Sequence, residues 1–410
     1  MLYLYSIKNF LILSMFHFLT SKHIDKRLKI IKISTSVFMI LGLLMSFNVW
    51  ILNHEFPIIK VSSWMPEFSQ NATSILLFTI FLLLIVSIFK QKKIFYLGIL
   101  ILTMLLLTQD YMRWQPWEYM YGLMFIAFLF DTKKNTHKTF FILKVVLSGA
   151  YFWAGVHKLN PYFINTFPLD LANQIIHIFS VENTGFVYKL RYLGYLVPII
   201  EIGIGIGLWM TKYRKLSVFV AIITHITILI FQAPGGVHYF GVVYPWNIAM
   251  IIFVWFLFYQ ASENLSVQNI KKSGLSLVII LFVWLLPALN IFGLWHNYAS
   301  FKLYTGNDKY LFAVVNQADL NTTLSHLKNH TFKPYPEMVA QFDIKSDQSM
   351  VSFYNWTIND LSLPLNLNNT SITQLLQYMH TFDAKLKAPI SFLIYKNGRY
   401  QELKENDYPN

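Results

Sequence analysis

The chain has 410 residues, 55% of them hydrophobic and only 13% charged, with a mean hydropathy of +0.45; that is too few charges to coat a soluble domain. A net charge of +13 would point to nucleic acid in a soluble protein, but here the lysines and arginines cluster in short loops between apolar runs, so the expected partner is the lipid bilayer and not nucleic acid. The absence of cysteine excludes a disulfide framework, a thiolate nucleophile, a CxxC redox pair and Cys-ligated zinc or iron–sulfur centres.

Residues 1–19 are apolar but carry Lys8, Asn9 and His17, and no small-residue cleavage site follows, so they suit an interfacial helix or an extra span better than a cleaved signal, and residues 1–29 are expected to form an interfacial segment. Apolar runs follow near 30–52, 72–89, 94–109, 117–130, 139–156, 193–210, 216–232, 240–259 and 274–294. Judged against the roughly 20 residues that cross a bilayer as helix, they predict nine spans, or eight if one of the two short runs flanking Asp110–Pro116 is re-entrant. GIGIG at 203–207 superficially matches a nucleotide fingerprint, but with no strand before it the glycines predict close helix packing. After residue 294 the composition turns polar. YLFAVVN (310–316), MVSFYNW (350–356) and ISFLIYK (390–396) alternate as strands, and KNGR (396–399) suits a hairpin turn. The expected fold is therefore an all-α polytopic membrane protein of about nine transmembrane helices (30–294) with a small extracytoplasmic C-terminal domain containing β-strands (295–410).

Orientation follows from the basic loops. Lys22, Lys26, Arg27, Lys29 and Lys32 stand at the start of the first span; Lys90, Lys92 and Lys93 follow the second, Lys133, Lys134 and Lys138 the fourth, and Lys212, Arg214 and Lys215 the sixth; Lys271 and Lys272 precede the ninth. With nine alternating spans these clusters share one side, which the positive-inside bias makes cytoplasmic. The N-terminus is then cytoplasmic, and YFWAGVHKLNP (151–161), the 157–192 connection, the 233–239 turn and the C-terminal domain face outward.

In that outward stretch an apolar run ends in His157 and Lys158. A snorkelling helix end explains such a pair without function, and an active base explains it with one. Glu201, inside the sixth run, is costly there unless a cation partners it. His225 lies near the middle of the seventh run, His238 in a glycine-rich outer turn, and Trp246 and Asn247 open the eighth; each has a structural explanation, and all could converge on one outward-facing cavity. In such a cavity desolvation would lower the pKa of Lys158 and make it a usable base. No HxxxH or HExxH spacing supports a metal.

AGVHKLN (154–160) resembles the aromatic–AG–x–(K/H)–K–L–(D/N) segment of the vitamin K-dependent gamma-carboxylase family and its bacterial relatives, the horizontally transferred transmembrane domain proteins. The three succeeding spans are similar to the family as well: a glutamate-bearing span, the histidine-bearing AIITHITILIF (221–231), and an aromatic-rich span opening YFGVVYPWN (239–247), so that the resemblance covers roughly residues 10–300. It implies an enzyme of the bacterial cytoplasmic membrane that uses a reduced quinone of the vitamin K or menaquinol type. Lys158 matches the lysine that deprotonates the hydroquinone, and a protein or peptide glutamyl group would be the carboxylated substrate. His157 and Asn160 stand where the animal enzyme has lysine and aspartate, and the shorter outer domain departs from its propeptide-binding form. On this reading Lys158 and His157 are catalytic, and Glu201, His225, His238, Trp246, Asn247 and Asn160 bind substrate or quinone. A second reading, from a different class, is a non-enzymatic lipid- or quinone-binding protein; DoxX-type membrane proteins share a similar aromatic–AG–x–x–K–L ending but are shorter, and a disulfide-handling role is excluded without cysteine.

Overall fold

The computed structural model describes residues 23–62, 66–181, 184–231, 241–259, 274–303, 305, 309–334, 336–396 and 399–403. Within them the chain is mostly helical, and six helical stretches are long and apolar enough to cross a membrane. These are α1 (Ile24–Met45), α2 (Gln70–Phe89), α5 (Thr136–Lys158), α7 (Thr184–Gly207), α8 (Arg214–Phe231) and α10 (Gly274–Phe292). Between them lie α3 (Lys93–Gln109), α4 (Pro116–Leu129), α6 (Pro161–Phe179) and α9 (Val243–Tyr259). The initial residues 1–22 lie outside the described part, and α1 already begins at Ile24.

Lipid and protein divide these helices by burial. In α5, 89% of the most apolar window is buried, against 28% for α2 and 22% for α8 and α10, so α5 is the hub and the others form the rim. Large apolar side chains on the rim, among them Ile75, Phe78 and Leu82 of α2 and Ile223 of α8, are exposed, as lipid-facing residues are. The seam between α5 and α7 needs glycine. A Cβ at Gly205 would stand 2.8 Å from the backbone nitrogen of Phe152, and one at Gly155 would stand 2.7 Å from the Pro198 carbonyl oxygen. GIGIG thus packs helices closely through Gly205, as expected, while Gly203 meets nothing within 4 Å.

The connection at 157–192 is not a loop. Asn160 caps α6: its Oδ1 accepts from the Phe163 amide at 2.9 Å, and Pro161 occupies the first helical position, where its missing N–H costs nothing. Pro168 of α6 packs on α7 at Gly194, where a Cβ would come within 3.1 Å of it.

The C-terminal part carries an antiparallel sheet of β1 (Tyr310–Asn316), β2 (Thr331–Phe332), β3 (Gln348–Ser352), β4 (Ser391–Lys396) and β5 (Arg399–Leu403), in the order β2-β3-β1-β4-β5. β1 coincides with the segment expected from alternation, and the Lys396–Arg399 pairing closes the expected hairpin, whose two turn residues lie outside the described part. The strand expected over 350–356 is corrected. It stops at Ser352, whose hydroxyl accepts from the Asn355 amide at 3.2 Å and starts α11 (Phe353–Leu361). One sheet face, with Leu311, Ala313, Val315, Val351, Phe392 and Ile394, packs on α11 and on α12 (Asn369–His380); the other, with Phe312, Val314, Met350 and Leu393, packs on Met338 and Ile344. Asp360 Oδ2 accepts from the amides of Glu55 (2.7 Å) and Phe56 (2.6 Å), and Gln374 bonds both the amide and the carbonyl of Lys60, which clamps this unit onto the loop after α1.

Candidate functional site at the end of helix α5

Lys158 lies in the last turn of α5 and is buried. Its Nζ donates to Glu201 Oε2 of α7 at 2.6 Å, so the intramembrane carboxylate has the cationic partner its cost demanded. A snorkelling lysine would point its ammonium to water; this one points across the glycine seam.

A second chain of hydrogen bonds runs beside the pair. Tyr151 lies seven residues before Lys158, about two turns back and on the same face of α5. Its hydroxyl is 2.6 Å from His225 Nε2, and His225 Nδ1 is 2.6 Å from Asn247 Oδ1. Asn247 Nδ2 donates to the Val243 carbonyl at 2.7 Å, which orients the amide and presents Oδ1 as an acceptor. Nδ1 of His225 must then carry the proton, and Nε2 accepts from the Tyr151 hydroxyl. The charges of Glu201 and Lys158 bear on Tyr151 and His225 respectively. Four helices, α5, α7, α8 and α9, thus bring together two buried polar groups, Lys158–Glu201 and Tyr151–His225–Asn247, coupled through their charges.

His157 and Asn160 face elsewhere. Consecutive helical residues diverge by about 100°, and the His157 ring packs on Trp153 and bonds the backbone of Ser300, with its Nε2 unpartnered among the described residues. Asn160 Nδ2 donates to the carbonyls of His157 (2.9 Å) and Thr305 (3.1 Å), tying the end of α5 to the connection that leads into β1. His238 lies outside the described residues. Trp246 neighbours Asn247 and lines a cavity of about 440 Å³ between the ends of α4, α6 and α9 and the C-terminal domain. The aromatic walls are Trp117, Phe163, Phe167, Trp246, Tyr310 and Tyr354, with Gln115, Asp170 and Lys302 among the polar groups. The indole nitrogens of Trp117 and Trp246 are buried without an acceptor among the described residues, and the flat aromatic faces suit a planar ring. Neither Lys158 nor Glu201 lines this cavity, and neither do Tyr151, His225 and Asn247.

No protein-family model, curated protein or solved structure matches the chain. The geometry therefore carries the functional argument alone. Among the described residues no three His, Asp or Glu side chains gather closely enough to hold a metal ion. Sequence reasoning missed Tyr151 and the cavity. The first has a signal, its heptad offset from Lys158; the second, built from segments far apart in the chain, has none.

Proposed function

We propose that this integral membrane protein carries out quinol-linked chemistry of the gamma-carboxylase-like kind, glutamyl carboxylation being one such reaction, at a pocket facing outward from a bacterial cytoplasmic membrane. The observation that carries the reading is the buried Lys158–Glu201 pair beside the Tyr151–His225–Asn247 chain. Within the pair the ammonium of Lys158 can pass its proton to Glu201, leaving a neutral amine at Nζ; a hydroxyl brought to that nitrogen can then give up its proton, which restores the ammonium with the new oxyanion as its counter-ion. Glu201 then holds the proton. Asn247 fixes the His225 tautomer, and His225 holds the Tyr151 hydroxyl proton toward Nε2. The cavity lined by Trp117, Trp246 and Phe163 would admit the quinol ring, whose hydroxyl must move beyond that lining to meet Nζ. Bound there, the quinol supplies reducing equivalents and an acidic hydroxyl.

The test uses the full chain in detergent or nanodiscs, with mass spectrometry of retained quinones and a search for carbon dioxide incorporation. Lys158→Arg keeps the charge and cannot release its proton, so turnover should fall roughly 100- to 10,000-fold while quinone retention persists. Equal turnover in Lys158→Arg and wild type sinks the base assignment. The second reading, binding without catalysis, is favoured by the absence of Lys158 from the cavity lining; it predicts retained quinone and no turnover in wild type.

The nine-span orientation belongs to the same proposal. Lys92→Cys and Lys134→Cys should react with an impermeant maleimide only after permeabilisation, and Lys328→Cys, exposed in the C-terminal domain, should react in intact spheroplasts. Reversed labelling would place Lys158 on the cytoplasmic face.

A further inference from the structure

The end of the sheet nearest the helices carries an arrangement that the proposed chemistry does not use. Tyr395 pairs with Tyr310 on one side and Tyr400 on the other, and Lys396 pairs with Arg399. Lys309 immediately precedes Tyr310, so the same antiparallel register sets it opposite Lys396. Three cations, Lys309, Lys396 and Arg399, therefore stand side by side across three adjacent strands. Like charges directly opposite each other in a sheet repel. Among the described residues no carboxylate lies within salt-bridge distance of any of them; Lys309 Nζ donates instead to the neutral Asn369 Oδ1 at 2.9 Å. Burial, with Lys396 and Lys302 nearby, holds Lys309 below the ordinary lysine range. Lys396 and Arg399 are exposed.

The position of this row indicates what could neutralise it. The Tyr395 ring lies 6.2 Å from that of Tyr162, one turn beyond Lys158, where α5 ends. Asn160 bonds the Thr305 carbonyl a few residues before Lys309. The cationic row therefore sits by the end of α5, a helix long and apolar enough to cross a membrane, beside the tyrosines Tyr162, Tyr310, Tyr395 and Tyr400, a residue type enriched at membrane interfaces. We propose that Lys309, Lys396 and Arg399 form a docking surface for the phosphate headgroups of anionic lipids in the adjacent leaflet, seating the C-terminal domain on the membrane. Phosphates supply a counter-charge that no described carboxylate provides, and the fork of Arg399 can take two oxygens of one headgroup. This inference requires only that the chain is an integral membrane protein and stands apart from the role of Lys158.

The experiment exchanges full-length protein into mixed micelles of phosphatidylglycerol and phosphatidylcholine and counts retained lipids by native mass spectrometry. A triple variant, Lys309→Gln with Lys396→Gln and Arg399→Gln, should lower phosphatidylglycerol retention relative to phosphatidylcholine by roughly 10- to 100-fold, as expected for removing three interfacial cations. Lys309→Arg with Lys396→Arg keeps the charge and should keep the lipid. An unchanged ratio in the triple variant overturns the proposal, as does loss of phosphatidylglycerol from the charge-preserving variant. Displacement of the lipid from wild type by poly-glutamate at lower concentration than by added phosphatidylglycerol also overturns it, and assigns the surface to an acidic polypeptide.

Discussion

Two buried lysine–carboxylate pairs hold the helical bundle, at opposite ends. Lys158 meets Glu201 at 2.6 Å and Lys32 meets Asp131 at 2.7 Å, with similarly small side-chain exposures. Their neighbours differ. Lys32 lies over the ring of Phe128, the Thr139 hydroxyl stands 3.5 Å from Asp131, and the Tyr96 hydroxyl, which feels the Asp131 charge, bonds no acceptor among the described residues, so no side-chain relay leads away from that pair there. Lys158 and Glu201 stand beside a tyrosine, a histidine of determined tautomer and an asparagine linked in series. Burial of an ion pair is thus a poor marker of function by itself, and what the pair can exchange protons with is a better one.

The comparison is broken most directly by removing one charge from each pair. Lys158→Met and Lys32→Met should each destabilise the protein by about 3–5 kcal/mol, because each strands a buried carboxylate. Lys158→Met with Glu201→Leu should recover most of that loss, since an apolar replacement of both partners is often neutral. Thermal unfolding in detergent measures this, and a double variant no more stable than Lys158→Met would refute the account. Quinone-linked turnover should be absent from the stable double variant and present in the corresponding Lys32→Met and Asp131→Leu protein.

Acid should separate the two ends next. His296, after α10, packs on Tyr111 and Trp114 at the Lys158 end, its Nδ1 accepts from the Tyr298 and Ala299 amides, and burial pulls its pKa from 6.5 to about 4. The folded value lies below the unfolded one, so the unfolded chain binds the proton first. Stability is complete above pH 6.5 and declines as the pH falls toward 4, by up to roughly 3 kcal/mol. His296→Gln should flatten that slope in a pH series of unfolding midpoints; the same slope in both proteins would assign it to other groups.

The smallest effect tests the seam. Gly205→Ala drives a methyl against Phe152 and should cost about 1–3 kcal/mol, whereas Gly203→Ala on the same helix, with open space around it, should cost nothing. Wedging the seam acts on Lys158–Glu201 and leaves Lys32–Asp131 intact, so turnover should fall more than stability predicts. Equal behaviour of the two alanine variants would mean the seam is loose.

Much of this was legible in the chain, for reasons that differ by region. Within the described residues each apolar run lies on a helical stretch, because hydrocarbon leaves the backbone no other partner for its hydrogen bonds. Glu201 announced a cation by its cost, and Lys158 is that cation. MVSFYNW misled because alternation over seven residues does not reveal that Ser352 caps a helix. Asn160–Pro161 is a helix-start signal that hydropathy overlooks in α6. Lys32–Asp131, 99 residues apart, and the register that aligns Lys309, Lys396 and Arg399 depend on tertiary pairing that no local pattern encodes.

The bond from Asn160 to the Thr305 carbonyl spans 145 residues of sequence. A ribosome adding 5–20 residues per second needs about 7–30 s to travel that far. Lys158 therefore enters the membrane well before the segment that closes over its helix end has been made, and during that interval Glu201, which follows 43 residues behind it, is the partner synthesised first. The ion pair can form early and shield the lysine during insertion, and the neighbouring helix end gains its last restraint only when the C-terminal domain begins to fold.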